Sequence, residues 1–253
     1  MIEDKFEIEN TTINFDYGSA TNQVDMINAD ALHQADYTGE GMLVAVMDSG
    51  FPNVDTMGGF QRLRDNNDLS AASYDFVDRN DNVFAFTGSS HGTRVLSDMA
   101  GFIQDEFVGT APDATYVLFR TEDVASETPV EESYWVEAAE RADSLGVDVI
   151  NTSLGYNRFD DSRYDYLLAD MDGDTAFITR GANIAVEKGI VVVNSAGNSG
   201  NDATWGIVTA PGDGDVFTIG AVDGIGNYAS FSSRGPSADG RVKPDVVAQG
   251  SGV

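Results

Sequence analysis

The chain has 253 residues with 42 acidic and 14 basic side chains, a formal charge of −28; Asp outnumbers Glu by 30 to 12, and only three lysines, Lys5, Lys188 and Lys243, stand beside 11 arginines. This balance excludes nucleic acid as a default partner, because phosphate binding needs a surplus of Lys and Arg, and it disfavours an anionic membrane surface for the same reason. The absence of cysteine removes disulfides, zinc thiolates and thiol nucleophiles, while 42% hydrophobic and 10% aromatic residues make a composition that folds.

No apolar run approaches the roughly 18 residues of a bilayer span, so no membrane span is expected. The opening Met1-Ile-Glu-Asp-Lys5 lacks the positive-then-apolar order of a signal peptide. From Asn22 to Ala35 the apolar positions Val24, Ile27, Ala31 and Leu32 fall near helical spacing, ahead of Gly39 and Gly41, and predict one early helix. His33 lies on it near Asp30 and Asp36 and reads as a surface residue. The short run Met42 to Met47 stops at Asp48-Ser49-Gly50, the pattern of a parallel strand buried on both faces. Similar strands are expected at Thr115 to Phe119, Val147 to Asn151, Ile190 to Asn194 and Val216 to Ala221. Helices are expected between them at His91 to Ile103, Val130 to Leu145 and Phe177 to Lys188. Strand and helix alternate, so the class is α/β with a mostly parallel sheet. The whole of 1–253 reads as one domain, with Tyr156 to Thr175 as an irregular excursion.

In an open α/β sheet the functional groups collect at the carboxyl ends of the strands, where loops vary over a fixed scaffold. Asp48-Ser49-Gly50, Ser153-Leu154-Gly155 and Ser195-Ala196-Gly197-Asn198 occupy such ends, and His91-Gly92-Thr93 opens a helix. A carboxylate, an imidazole and an asparagine so placed are three of four parts of a serine-nucleophile hydrolase. The carboxylate orients the His and stabilises the imidazolium, and the second ring nitrogen takes the serine proton. Asp before His, with Ser to follow, is the subtilisin order.

Together the boxes resemble those of the subtilisin-like serine proteases, the subtilases (peptidase family S8). The matching residues are Val44 to Gly50, His91 to Thr93, Asp148 to Gly155, Ser195 to Asn198 and Phe231 to Pro236, the last leading to Lys243-Pro244-Asp245. The resemblance implies the subtilisin-like three-layer fold, helices on both faces of a mostly parallel sheet. It implies Asp48 as the orienting carboxylate, His91 as general base and Asn198 as oxyanion donor. Ser153, Leu154 and Gly155, with Ser195, Ala196 and Gly197, would bind substrate, the first three by pairing with an extended peptide backbone. Ala210-Pro211 falls where the family often carries a cis proline. Tyr17-Gly-Ser, Asn22 to Asn28 and Leu32-His33 further resemble a secreted bacterial branch, so a secreted or cell-surface setting is expected.

One part of the pattern is missing. The family nucleophile lies in a Gly-Thr-Ser motif opening a helix beyond the Pro-Asp-Val-Val-Ala segment, whereas Ser251 follows Pro244 to Ala248 with no Gly-Thr before it. The chain therefore reads as the amino-terminal portion of a catalytic domain whose serine lies beyond residue 253. Its expected partners are protein or peptide substrates and the complementary part of its own domain. The alternative is a catalytically inactive, peptide-binding subtilase relative. A nucleotide-binding domain is a weaker third reading, since Gly39-Glu40-Gly41 precedes a strand where a phosphate fingerprint must follow one. No cofactor and no metal are expected. Asp170, Asp172 and Asp174 invite calcium, but Gly173 falls fourth where the EF-hand loop needs glycine sixth, and Ala100 to Gly109 offers only Asp105 and Glu106. An Asp-rich, Lys-poor surface suits saline water, where a Debye length of about 8 Å at about 0.15 M screens self-repulsion. The melting temperature should accordingly rise between low salt and about 0.5 M; a flat or falling thermal-scan series would remove the salt adaptation.

Overall fold

Alternation within the first apolar run decides the architecture. In strand β1 (Leu43–Asp48), Val44 and Val46 pack with Leu96, Ala100, Tyr116 and Leu118. Ala45 and Met47 point the other way, into a core with Trp135, Ala138, Val117, Phe119 and Ile150. A strand with apolar cover on both faces sits in the middle layer of three. The computed structural model describes residues 14–253, so Met1 to Lys5, whose order was read above, lie outside it.

In chain order the elements are α1 (Thr21–Met26), α2 (Ala29–Gln34), β1, α3 (Gln61–Asp65), β2 (Tyr74–Asp75), α4 (His91–Ala100), β3 (Phe102–Ile103) and β4 (Phe107–Val108). They continue with β5 (Thr115–Arg120), α5 (Val130–Leu145), β6 (Val149–Thr152), α6 (Phe177–Glu187), β7 (Val191–Ser195), β8 (Phe217–Val222) and β9 (Val246–Gln249). Seven strands form one sheet in the order β2-β5-β1-β6-β7-β8-β9, and every adjacent pair is parallel. Residues of α5 and α6, such as Trp135, Ala138, Ile178 and Ala182, line the core on one face. Those of α3 and α4, such as Leu63, Leu96 and Ala100, line it on the other. This is the three-layer α/β arrangement expected from the sequence.

Three expectations need correcting. The single helix expected over Asn22 to Ala35 is two short helices, because Asn28 between them takes the left-handed conformation at φ 54°, which asparagine tolerates better than most residues. The helix expected to run to Ile103 ends at Ala100, and the chain then turns through the β3-β4 hairpin. His33 is not on the surface but 1% exposed. Its Nε2 lies 3.0 Å from the Thr110 carbonyl, which can only accept, so that nitrogen carries hydrogen; Nδ1 then accepts from the Tyr17 hydroxyl at 2.8 Å. The 156–175 excursion contains two short 3-10 turns, Ser162–Tyr164 and Leu168–Asp170. It buries Tyr156, Phe159 and Met171 in the main core.

The edge that presents His91 is braced by a buried charge. Arg120, at the end of β5, donates to Asp75 at 3.0 Å and Asp78 at 2.7 Å, and its guanidinium lies 3.8 Å from the centre of the Phe86 ring. The other oxygen of Asp75 accepts from the backbone of Val77 and Asp78 at 2.9 and 2.8 Å. Arg120 thereby ties β2 and the chain leading to α4 to the central sheet. Removing one partner of such a buried pair strands the other charge without compensation, at a cost of about 3–5 kcal/mol. Arg120→Met should destabilise the fold by that amount in urea titration, and a loss below about 1 kcal/mol would mean the pair contributes only as a surface bridge does.

Candidate active site

Parallel strands in register bring several loops to one edge. Asp48 aligns with Arg120 across β1 and β5, Met47 with Thr152 across β1 and β6, and Thr152 with Asn194 across β6 and β7. The residues just after these strand ends therefore lie side by side, and α4 begins above them.

His91 meets Asp48 there. Its Nδ1 stands 2.8 Å from one carboxylate oxygen and 2.9 Å from the other. A carboxylate offers only acceptors, so Nδ1 carries the hydrogen and Nε2 holds the lone pair. The Asp48 side chain is fully buried while that of His91 is 43% exposed, so the pair has a buried carboxylate end and a solvent-facing imidazole end. Asp48 Oδ1 also accepts from the Ser49 backbone at 2.7 Å and lies 3.1 Å from the Ser49 hydroxyl. That hydroxyl stands 2.8 Å from the Ser89 hydroxyl, which accepts from the His91 backbone at 3.2 Å. A short polar chain thus links the strand end to the helix start. The hydrogen bond to Asp48 raises the His91 pKa above its ordinary value; burial opposes this, and the charges of Asp48 and Glu122 add to it.

The neighbours of His91 explain the local sequence. A Cβ on Gly92 would lie 2.5 Å from the Gly50 carbonyl and 2.9 Å from the Asp48 Cβ, so α4 approaches β1 this closely only with glycine there. The Thr93 hydroxyl donates to the Pro52 carbonyl at 2.8 Å and pins the same turn.

The remaining predicted residues occupy the same edge in different ways. Ser153, Leu154 and Gly155 continue from β6, and among the described residues none of their backbone groups has a backbone partner. They are available to an added strand. A side chain on Gly155 would run into the Thr209 hydroxyl. Just beyond, Tyr156 bonds with Ala210 in both directions, at 2.8 and 3.2 Å, and the Ala210-Pro211 bond is cis. Ser195, Ala196 and Gly197 differ: the Ser195 carbonyl accepts from Asn194, Ala196 bonds to Ile219 and Thr209, and the Gly197 carbonyl accepts from Ser233. Their backbone is committed to the fold and forms a wall. Asn198 is exposed, three residues past the end of β7.

Two of the carboxylates considered for calcium, Asp170 and Asp172, have protein partners. Asp172 accepts from the backbone of Asp174 and Thr175 at 2.9 and 2.8 Å, and Asp170 from Leu167 at 2.7 Å. The sequence reading missed the loop after β5. Thr121 donates its backbone N–H to the Asp48 carbonyl at 3.0 Å, so Glu122 follows directly beside the pair. Burial, then Glu127, Glu131 and Asp48, push the Glu122 carboxyl up to about 8, against the opposing His91 charge. The detectable signal was its place at the carboxyl end of a predicted strand, where functional groups collect.

Residues 39–252 match the model of the subtilase family, Peptidase S8. The chain is 32% identical over 222 residues to Subtilisin E of Bacillus subtilis, covering 85% of this chain and 50% of that protein. It is 30% identical over 262 residues to Subtilisin-like protease SBT6.1 of Arabidopsis thaliana, covering 98% of this chain and 22% of that one. The chain thus spans half or less of these two relatives. Among solved structures, MycP1 with its N-terminal propeptide removed superposes with a TM-score of 0.66 at 25% identity, over 90% of this chain and 69% of MycP1. The epidermin leader peptide processing serine protease of Staphylococcus aureus shares the fold, with a TM-score of 0.62 at 22% identity, over 91% of this chain and 57% of that one.

The close packing of Gly92 has a measurable consequence for His91. Gly92→Ala must push α4 away from β1 and lengthen the Asp48–His91 bond. The His91 titration midpoint, read by NMR, should lie above the ordinary value of about 6.5 in the parent protein and fall towards it in the variant. An unchanged midpoint would show that the approach does not set the pair.

Proposed function

The chain belongs to the subtilase family, and we propose that the protein containing it is a serine endopeptidase using Asp48 and His91 as the orienting carboxylate and general base of an Asp-His-Ser triad. The observation that carries the reading is the two-oxygen contact of Asp48 with His91 Nδ1, while no hydrogen bond reaches Nε2 among the described residues. A base so oriented presents its lone pair to a serine hydroxyl, takes the proton as oxygen attacks the peptide carbonyl, and returns it to the departing amine. Asp48 stays ionised and stabilises the imidazolium between the two transfers. We assign the nucleophile to a Gly-Thr-Ser segment beyond Val253, since no serine from Ser19 to Ser251 follows Gly-Thr. On this reading the chain is part of one catalytic domain.

The substrate is a peptide in extended conformation. Ser153 to Gly155 support this, because their unpaired backbone groups can form a ladder that positions the scissile bond. Asn198 is assigned as the amide donor that stabilises the oxyanion, which its exposed place after β7 allows. The likeness to subtilisins supports a secreted or cell-surface setting. No described helix is long and apolar enough to cross a membrane.

The test is covalent labelling of the full-length protein by a fluorophosphonate probe. Labelling should occur on one serine and disappear in His91→Ala. Labelling that survives this change would overturn the role of His91, and a protein that never labels but binds peptides would be the inactive relative.

A further inference from the structure

The segment 153–155 and the loop that carries Asn198 are anchored in different ways. Just past Gly155, Tyr156 and Phe159 are buried in the main core with their rings stacked 6.5 Å apart at 13°. Tyr156 pairs with Ala210 through its backbone, and the Phe159 N–H donates to the Asp165 carboxylate at 2.8 Å. This side is fixed to the core. The loop from Asn198 to Thr204 is tied on its far side, where the Ser199 N–H donates to the Ser233 hydroxyl at 2.9 Å and the Gly200 N–H to the Phe231 carbonyl at 2.8 Å. Asn198 itself makes no hydrogen bond among the described residues, through its backbone or its amide, so its neighbours set its place.

One side chain crosses between the two. Arg158 lies between the buried Tyr156 and Phe159 in sequence and is exposed. Its Nη2 donates to the Thr204 hydroxyl at 2.8 Å, and its Nη1 stands 3.2 Å from one Asp202 carboxylate oxygen. The Thr204 hydroxyl donates in turn to the other Asp202 oxygen at 2.7 Å, which also accepts from the Thr204 backbone at 2.7 Å. Guanidinium, hydroxyl and carboxylate thus close a ring in which every bond has a defined direction. The ring continues towards Asn198, because the Asp202 N–H donates to the Ser199 carbonyl at 2.9 Å. Among the described residues no other hydrogen bond or ion pair joins 153–160 to 198–206.

An exposed ion pair contributes little to stability, since water screens it and two long side chains must be ordered. The Arg158 contact uses two nitrogens of a planar fork against a turn that is already closed, so little freedom is lost for each bond made. What it controls is a distance. An oxyanion donor must stand within hydrogen-bond reach of an oxygen whose place is set by the peptide lying along 153–155. A small displacement of one against the other costs rate more than binding.

We propose that Arg158 is a positioning residue for peptide-bond hydrolysis: through Asp202 and Thr204 it holds the loop carrying Asn198 at a fixed distance from the segment 153–155. This rests on the reading of Asn198 as oxyanion donor and of 153–155 as the peptide ladder, and adds to it a residue that acts through another. Arg158 spans the gap from the anchored side, so the core around Tyr156 and Phe159 sets where Asn198 stands.

The experiment is a double-mutant cycle on the full-length protein, with an uncharged chromogenic peptide anilide as substrate and kcat and KM read on the pH plateau above the His91 midpoint. Arg158→Met should lower kcat about fivefold, the most that an exposed ion pair supplies, with KM little changed. Asn198→Ala should lower kcat by about 10²-fold or more. Adding Arg158→Met to it should change nothing further, because the group that Arg158 places is gone. The His91 midpoint of the pH profile should be the same in Arg158→Met as in the parent, which separates the loss from a change of charge near the base. Arg158 is exposed, so the variant should stay folded, and its melting temperature checks this. An unchanged kcat in Arg158→Met, a shifted midpoint, or a loss that multiplies with that of Asn198→Ala would overturn the inference and leave the protease reading intact. Equal kcat in Asn198→Ala and the parent would remove Asn198 from the oxyanion role and the inference with it, and a parent without turnover would count against the protease reading as well.

Discussion

The site depends on how closely the start of α4 can approach the end of β1. The two elements are far apart in sequence, and Gly92 lets their backbones come near enough for an imidazole to span both oxygens of Asp48. Everything around this approach is arranged to hold it. The Ser49 and Ser89 hydroxyls bridge the strand end to the loop before the helix, Thr93 ties the first turn to Pro52, and Arg120 anchors β2 through Asp75 and Asp78. Each anchor acts on the chain that delivers His91 rather than on the ring itself, and this is how a partly exposed side chain can keep a fixed orientation.

Much of this was legible because the signals are local. Short apolar runs ended by turn residues marked β1, β5, β6, β7 and β8, and the helix over Val130 to Leu145 has those same limits in the structure. The His-Gly-Thr and Asp-Ser-Gly boxes could be paired by order alone. Elements with no local period were not legible. The strands β2, β3 and β4 have two residues each, too few to show alternation. His33 was misplaced because its partners are 16 and 77 positions away, and only the fold reveals that a polar ring can be buried with both nitrogens satisfied. The loop after β5 escaped notice for the same reason: Glu122 comes beside Asp48 only when β1 and β5 pair.

The net charge of −28 conceals two populations of carboxylates. Many aspartates sit in turns and accept bonds from the same turn. The Thr175 and Asp174 backbone holds Asp172 below the usual carboxylate range, the Thr204 hydroxyl and backbone hold Asp202 below it, and Asn227 does so for Asp223. These groups are solvated, locally satisfied and ionised at any ordinary pH. Glu122, Glu127 and Glu131 are shifted the opposite way, by burial and by neighbouring carboxylates. Asp suits the first role because its short side chain reaches the backbone two or three residues on, while Glu reaches into a cleft from a loop or helix at some distance.

Glu122 and the Asp48–His91 pair are also coupled electrostatically. His91 is held above its ordinary pKa first by its bond to Asp48, with burial opposing, then by the charges of Asp48 and Glu122, against which Arg94 acts. In the free protein an ionised Glu122 favours the protonated imidazole, which cannot act as a base. The strength of that bias is set by how close the first turn after β5, tied by the Thr121 N–H to the Asp48 carbonyl, brings Glu122 to the end of β1.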